Sequence, residues 1–321
     1  SVTIPGSVTS IGASAFDYCS GMTGVYITDL AAWCKISFDC GYYDNLPFSS
    51  PYSSNPLWHA QNLYVNGELL RKLEVPSEIT KIGDGAFFGC SISEVELLDG
   101  VTSIGNYAFC DCTSLSSVTI PGSVTSIGNC AFYDCSSLSG ITIPEGVTSI
   151  GDWAFYNCSS LSSITIPSSV MSIGEGAFKA YGLSGTYPDT FYFLGKAPVG
   201  VICFGFIAFP MPVTVYYPSG DPSWTDVVKQ DSYTGGFYGE ITWVPYTILS
   251  PAAGAAPASA TIPVDDTLML FALDVVNTDE VSWYSSDPSV ATVDSTGLVK
   301  ALTYGTATIT VTLSGGTQLT C

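Results

Sequence analysis

Val118-Thr119-Ile120-Pro121 returns as Ile141-Thr142-Ile143-Pro144 and again as Ile164-Thr165-Ile166-Pro167. In the same frame Ala108-Phe109 returns as Ala131-Phe132, Ala154-Phe155 and Ala177-Phe178, a period of about 23 residues. Two earlier copies are Val2-Thr3-Ile4-Pro5 with Ala15-Phe16, and Leu73-Glu74-Val75-Pro76 with Ala86-Phe87. A fixed period in this range predicts a stacked solenoid, in which each coil buries its apolar face only against its neighbours. Such a molecule offers a long surface and needs no pocket.

Alternation across Val118-Thr119-Ile120 points the aliphatics inward and the threonine outward, so stacked coils are expected to form a parallel ladder of short strands. Pro121, Pro144 and Pro167 end these strands, because proline cannot donate to a ladder. Gly105, Gly128, Gly151 and Gly174 follow an isoleucine in every copy and mark a corner where a side chain would be awkward. The Ala-Phe pair suits a short helical turn, with Phe filling the coil interior. Leu115, Val118 and Ile120 have the spacing L-x-x-L-x-L, repeated at Leu138, Ile141, Ile143 and at Leu161, Ile164, Ile166.

Together these positions resemble the BspA-type leucine-rich repeat, whose block reads I-T-I-P-x-x-V-T-S-I-G-x-x-A-F-x-x-C. The resemblance covers residues 1–183. Between Met22 and Leu70 the pattern lapses into an aromatic stretch that holds Trp33, Tyr42, Tyr43, Phe48, Tyr52, Trp58 and Tyr64. It reads as two degenerate coils, about residues 23–70, that still carry the solenoid. Asn66-Gly67 predicts a hairpin turn.

Charged residues are few and mostly acidic, 28 Asp and Glu against 8 Lys and Arg, for a net charge of −20. That balance argues against nucleic acid and anionic membrane, both of which need basic clusters. No apolar run reaches the about 18 residues of a membrane span. Ser1 opens in mid-repeat, so the chain reads as a trimmed fragment and its start says nothing of compartment.

Cys19, Cys90, Cys112, Cys135 and Cys158 share one repeat column, three residues after the Phe, and Tyr181 takes that place in the last copy. Side chains that point the same way from successive coils have poor geometry for disulfides. The column is expected to be a stack of small buried hydrophobes, in which a serine hydroxyl would find no partner. Cys110-x-Cys112 and Cys34 with Cys40 have ligand-like spacing, but no second pair and no histidine cluster accompany them; His59 stands alone, and no metal or cofactor is expected.

After Phe178 the period stops. An open solenoid needs its last apolar edge covered. Residues 184–246 supply Phe191-Tyr192-Phe193, Val213 to Pro218, Asp221-Pro222-Ser223-Trp224 and Ile241-Thr242-Trp243-Val244. Pro222 suits a helix start with Trp224, Val227 and Val228 on its apolar side, and Ile241–Val244 reads as a closing strand. This order is similar to the terminal module that follows such repeats in bacterial surface proteins. A capping role is favoured over an aromatic sugar platform, since aromatics more often form core.

Ser250 to Pro257 reads as a linker or an extended first strand. Residues 247–321 then show alternating strands at Thr267–Leu273, Val281–Tyr284, Ala291–Val293, Leu298–Ala301 and Thr306–Leu313, as in an all-β sandwich. The string from Val281 to Val293, with Gly297-Leu298-Val299 and Gly305 to Thr310, resembles the bacterial Ig-like group 2 module. The resemblance implies a spacer with Trp283 as its core tryptophan. The fold expected overall is mainly β: a leucine-rich-repeat solenoid, a cap, then an Ig-like β-sandwich.

No catalytic constellation stands out. A Ser-His-Asp or Cys-His device would have to use His59, and no nucleophile elbow, P-loop, dinucleotide fingerprint or EF-hand pattern occurs. Glu94 and Glu96 share one strand side, which reads as a solvated face. Three classes remain. One is a bacterial cell-surface or extracellular recognition protein that binds a host or matrix protein or a glycan. The second is a display scaffold without its own ligand, and the third a glycan-binding accessory of a larger surface enzyme. For the first, the outward positions Tyr26, Glu96, Thr119, Thr142 and Thr165 are the candidate face, extended to the aromatic loops around Tyr42, Tyr43 and Trp58.

Overall fold

A computed structural model describes residues 1–38, 54–179, 188–198, 213–219, 221–225, 241–249, 262, 264–265, 267–272, 282–312 and 318–321. Within them helix is limited to Leu30–Cys34 and Leu57–Ala60. The expectations for Tyr42, Tyr43, Cys40, Tyr181, the Val227-Val228 helix and the Ser250–Pro257 linker lie outside the described residues.

Every regular coil contributes two short strands rather than one. The first ladder holds the L-x-x-V-x-I strands, with Lys72–Glu74, Glu94–Glu96, Ser117–Thr119 and Gly140–Ile141 side by side and parallel. The second is built from the S-I step: Lys81–Ile82, Ser103–Ile104, Ser126–Ile127, Ser149–Ile150 and Ser172–Ile173. Val118, Ile120, Ile127 and Ile150 point into the core, and Thr119 and Thr142 point out.

A third line of stacking replaces the expected helical turn at Ala-Phe. Here each coil is a run of tight turns in which Tyr107, Asp111, Cys130, Asp134, Trp153 and Asn157 take positive φ between 52 and 57°. This alternation aims backbone groups along the stack. Phe109 N donates to the Ala131 carbonyl at 2.8 Å, and Phe132 N to the Ala154 carbonyl at 2.7 Å. A helix would have spent those groups within one coil.

The corner glycines are required by stacking and not by backbone angle. A Cβ on Gly128 would lie 2.6 Å from the Asn106 nitrogen, and one on Gly151 2.6 Å from the Asn129 nitrogen. Beside them runs a side-chain ladder: Asn129 N donates to Asn106 Oδ1 at 2.8 Å, Asp152 N to Asn129 Oδ1 at 2.9 Å, and Glu175 N to Asp152 Oδ1 at 2.7 Å. The core carries a parallel pile of rings, Phe87, Phe109, Phe132, Phe155 and Phe178, with centroids 5.3 to 5.5 Å apart. Phe191 then meets Phe178 edge-on at 5.7 Å and ends the pile.

Cys90, Cys112, Cys135 and Cys158 are buried and free, as their shared column implies; Cys19, in the first coil, is only half-buried. They are not merely small hydrophobes. Cys112 Sγ donates to the Phe87 carbonyl at 3.1 Å, Cys135 Sγ to Phe109 at 3.2 Å and Cys158 Sγ to Phe132 at 3.1 Å. The expectation that a hydroxyl there would be partnerless is therefore corrected: an acceptor from the preceding coil faces the site. Burial pushes the Cys90 thiol up to about 12 and the Cys112 and Cys135 thiols well above their ordinary value.

In the lapse between Met22 and Leu70, Val25–Ile27 and Leu63–Val65 extend the ladder begun by Val2–Thr3. The hairpin forms at Asn66-Gly67, and its return strand Glu68–Leu69 pairs antiparallel with Leu63–Val65. That return ends the local ladder, so the first ladder is interrupted before Lys72. Trp33 and Asn55 bridge the lapse: Trp33 Nε1 donates to the Ala86 carbonyl at 3.0 Å and Asn55 Nδ2 to Gly85 at 2.7 Å.

From Ser163–Ile166 onward one seven-stranded sheet runs through Thr190–Phe193, Val213–Pro218, Ile241–Leu249, Thr267–Ala272, Leu298–Ala301 and Ala291–Val293. Ile241–Leu249 is thus not the closing strand, because Thr267–Ala272 pairs beyond it. Trp224 is buried and its Nε1 donates to the Gly195 carbonyl at 3.0 Å. The C-terminal sandwich closes with Ser282–Ser285, Ile309–Thr312 and a strand the sequence pattern did not reveal, Gln318–Thr320. Trp283 is half-buried against the edge of that core rather than at its centre, lying over Gly297, whose φ is +91°.

Candidate functional site

Strand register assembles the outward column. Thr3 stands opposite Tyr26, and Tyr26 opposite Tyr64. Glu74 stands opposite Glu96, Glu96 opposite Thr119, and the Val118–Ile141 pairing sets Thr119 beside Thr142. Thr165 stands opposite Tyr192 and Tyr192 opposite Tyr216. Tyr26, Glu96, Thr119, Thr142 and Thr165 thus share one outward side, in three ladder segments and not in one unbroken column. Thr119, Thr142 and Thr165 are exposed; Tyr26 and Glu96 are half-buried.

Trp58 does not belong to this side. Its ring centroid lies 5.4 Å from that of Phe88, and its Cα sits against Gly89, over the turn arm of the coil. The sequence groups Trp58 with the aromatic loops around Tyr42 and Tyr43, whereas its ring packs on the turn arm beside Phe88.

Sequence reasoning missed several members of the face: Tyr64, Lys72, Glu74, Tyr192 and Tyr216. Their signal was present, since each sits at the polar phase of an alternating strand. Tyr26 and Tyr64 stack at 4.5 Å with 8° between planes, and Tyr192 and Tyr216 at 4.8 Å with 7°. The first pair leans over Gly24, where a Cβ would lie 2.9 Å from the Tyr64 ring. In the middle, Lys72 Nζ reaches Glu74 at 3.0 Å and Glu96 at 3.1 Å. Those hydrogen bonds, to Glu74 first and then Glu96, hold the Lys72 ammonium above its ordinary range. Glu94 faces the same solvent side, opposite Lys72 in the register, while the Lys72 ammonium pairs with Glu74 and Glu96.

A second polar cluster lies on the turn arm. Tyr133 and Tyr156 stack at 4.7 Å, and Asn157 Nδ2 donates to Asp134 Oδ1. Burial, followed by the neighbouring Asp134, raises the Asp111 carboxyl to about 6. Among the described residues no group of three or more His, Cys, Asp or Glu could hold a metal ion, and no helix is long and apolar enough to cross a membrane.

Residues 1–51 and 60–184 match the BspA type leucine-rich repeat region in 6 copies. The chain belongs to the BspA-type leucine-rich repeat family. Residues 255–321 match the bacterial Ig-like domain of group 2, so a BspA-type solenoid is followed by an Ig-like domain. Both families are typically recognition or scaffold domains, and neither match indicates a catalytic family. Similar solved structures include a leucine-rich repeat protein of T. pallidum, 26% identical over 55% of this chain and 87% of that one, with a TM-score of 0.38. The pneumococcal vaccine antigen PcpA is 18% identical over 75% of this chain and 55% of that chain, TM-score 0.49. A leucine-rich repeat protein of Eubacterium ventriosum is 19% identical over 77% and 74%, TM-score 0.35. No curated protein matches the BspA-type chain significantly.

Proposed function

We propose that this BspA-type protein is a non-enzymatic recognition protein of a bacterial surface or its surroundings, and that its partner lies across the outward strand side. The observation that carries the reading is the shared outward side of the three ladder segments. Tyr26 with Tyr64, the Lys72 carboxylate cluster, Thr119 with Thr142, and Thr165 with Tyr192 and Tyr216 turn polar and aromatic groups to one side of a stiff stack. Stacking fixes neighbouring groups at about 5 Å intervals, so a partner meets a preorganised surface.

A host or matrix protein suits this side better than a sugar chain. In both tyrosine pairs one face of each ring is turned onto its partner, which narrows the ring surface left for a sugar. Sugar stacking needs open ring faces, whereas edges and hydroxyls suit protein hydrogen bonding. A net charge of −20 selects a neutral or basic partner surface.

The test begins with the full chain screened against purified matrix proteins and a glycan array. Thr119, Thr142 and Thr165 are then replaced together by Lys, and folding is checked by thermal melt. Binding to the ligand recovered should weaken at least tenfold and its salt dependence should change. A correctly folded variant with parent affinity and parent salt dependence would remove the site from this side.

A further inference from the structure

The turn arm of the solenoid carries a surface of its own, apart from the outward strand side. Its backbone repeats from coil to coil. The amides of Gly85, Tyr107, Cys130 and Trp153 each donate to the next coil, and so do those of Gly89, Asp111, Asp134 and Asn157. All of these residues hold positive φ, and Gly176 repeats the angle one coil beyond Trp153. Left-handed backbone is easy for glycine, tolerable for Asp and Asn, and sterically costly for a large side chain. Tyr107 and Trp153 therefore hold this conformation in a column that neighbouring coils fill with Gly85 and Gly176. The stack requires the backbone angle there and not the rings, so the strain points to a use outside the fold.

Carboxylates lie among these rings. Tyr133 stacks on Tyr156 at 4.7 Å. Tyr107 and Trp153 are half-buried, and Trp153 lies across Gly176 without stacking on another ring among the described residues. Asp134 accepts from Asn157 Nδ2, whereas the Asp111 carboxylate accepts no hydrogen bond among the described residues. Neither carboxylate has an ion pair among them. The described cation of this arm, Lys179, stands two coils beyond Asp134.

We propose that the turn arm is a docking surface for an arginine-bearing basic segment of a partner protein. A guanidinium is planar. It lies flat on a tyrosine or tryptophan ring while its edge donates two parallel N–H bonds to a carboxylate. The arm presents rings and carboxylates in successive coils, at about 5 Å intervals along the stack. Such a segment supplies the counter-charge that Asp111 and Asp134 lack. A lysine ammonium matches the charge but not the planar stacking. A neutral sugar finds rings but leaves the charge unanswered. The net charge of −20 draws a basic segment toward the protein as a whole, and the rings decide where it stays. The inference does not depend on what the outward strand side binds.

The test is calorimetric binding of a short oligoarginine peptide to the full chain at physiological salt, beside an oligolysine peptide of equal length and a neutral oligosaccharide. Oligoarginine should bind about tenfold more tightly than oligolysine. Asp111→Asn combined with Asp134→Asn should weaken it about tenfold. Glu78→Gln combined with Asp99→Asn makes the same change of charge at exposed residues off this arm, and should leave affinity within about twofold. Trp153→Gly installs the residue that the next coil carries at Gly176, so the backbone keeps its conformation, and the preference for arginine over lysine should close. Thermal melts establish that each variant is folded. Equal binding of the two peptides by the parent overturns the proposal, as does parent-like affinity in the folded Asp111 and Asp134 variant. An equal loss in the Glu78 and Asp99 variant overturns it as well, because binding would then follow total charge. Oligosaccharide binding that Trp153→Gly abolishes, with no arginine preference, would assign the arm to sugars instead.

Discussion

The Cys135 thiol donates to the Phe109 carbonyl oxygen of the preceding coil at 3.2 Å, and Cys112 and Cys158 repeat the contact one coil to either side. The cysteine column is therefore a hydrogen-bonded ladder inside an apolar stack, and the thiol combines a small apolar volume with a weak donor.

Substitution at Cys135 should follow that dual role. Cys135→Ser keeps a donor and is expected to cost about 1 kcal/mol or less, while Cys135→Ala loses donor and volume together and should cost about 1–2 kcal/mol. Urea midpoints measure both. A serine variant less stable than the alanine variant would show that the carbonyl contact contributes nothing. Thiol titration should find Cys112, Cys135 and Cys158 unreactive in the native protein and reactive in denaturant.

Two glycines of the same coil should behave oppositely. A methyl on Gly128 would press into the Asn106 nitrogen and the Gly105 carbonyl carbon, both at 2.6 Å, with backbone that cannot give way. Gly128→Ala is expected to cost about 1–3 kcal/mol or more. A Cβ on Gly122 meets nothing within 4 Å, so Gly122→Ala should be neutral or stabilise by about 0.4–1 kcal/mol through the unfolded chain. Thermal melts of the two variants decide the matter.

Acid should stabilise the solenoid near Asp111. Its carboxyl rises from 3.8 to about 6 in the folded protein, chiefly through burial and then through Asp134. Between those values the folded state holds a proton that the unfolded state has lost, so stability contributed by the protonated group falls as pH climbs from about 4 to 6. Asp111→Asn should raise the melting temperature at pH 7 and flatten the pH profile over that window. A parallel profile for parent and variant would place the titration elsewhere.

Capping can be tested at a single ring. Phe191 is fully buried and closes the phenylalanine pile edge-on against Phe178. Phe191→Ala should cost about 3–5 kcal/mol, and truncation after Gly182 should leave an insoluble solenoid because the last coil loses its cover. A soluble fragment 1–182 with a sharp melt would show that the solenoid needs no such cap.

By itself the sequence determined the solenoid, the inward and outward phases of each first-ladder strand, the cysteine column and the Asn66-Gly67 hairpin. All of these are local or periodic: alternation within three residues orients Val118, Thr119 and Ile120, and repetition carries that choice to every coil. Tertiary structure decided what depends on contact between coils. Gly128 is needed because Asn106 lies beneath it, and the Ala-Phe segment refuses a helix because its amides serve the next coil. Trp58 leaves the strand side because its ring packs beside Phe88 on the turn arm, while Tyr64 and Tyr216 join that side through register with Tyr26 and Tyr192. The sheet's passage from Leu249 to Thr267 was also invisible in the sequence, since pairing between strands separated by an unpatterned stretch leaves no periodic trace.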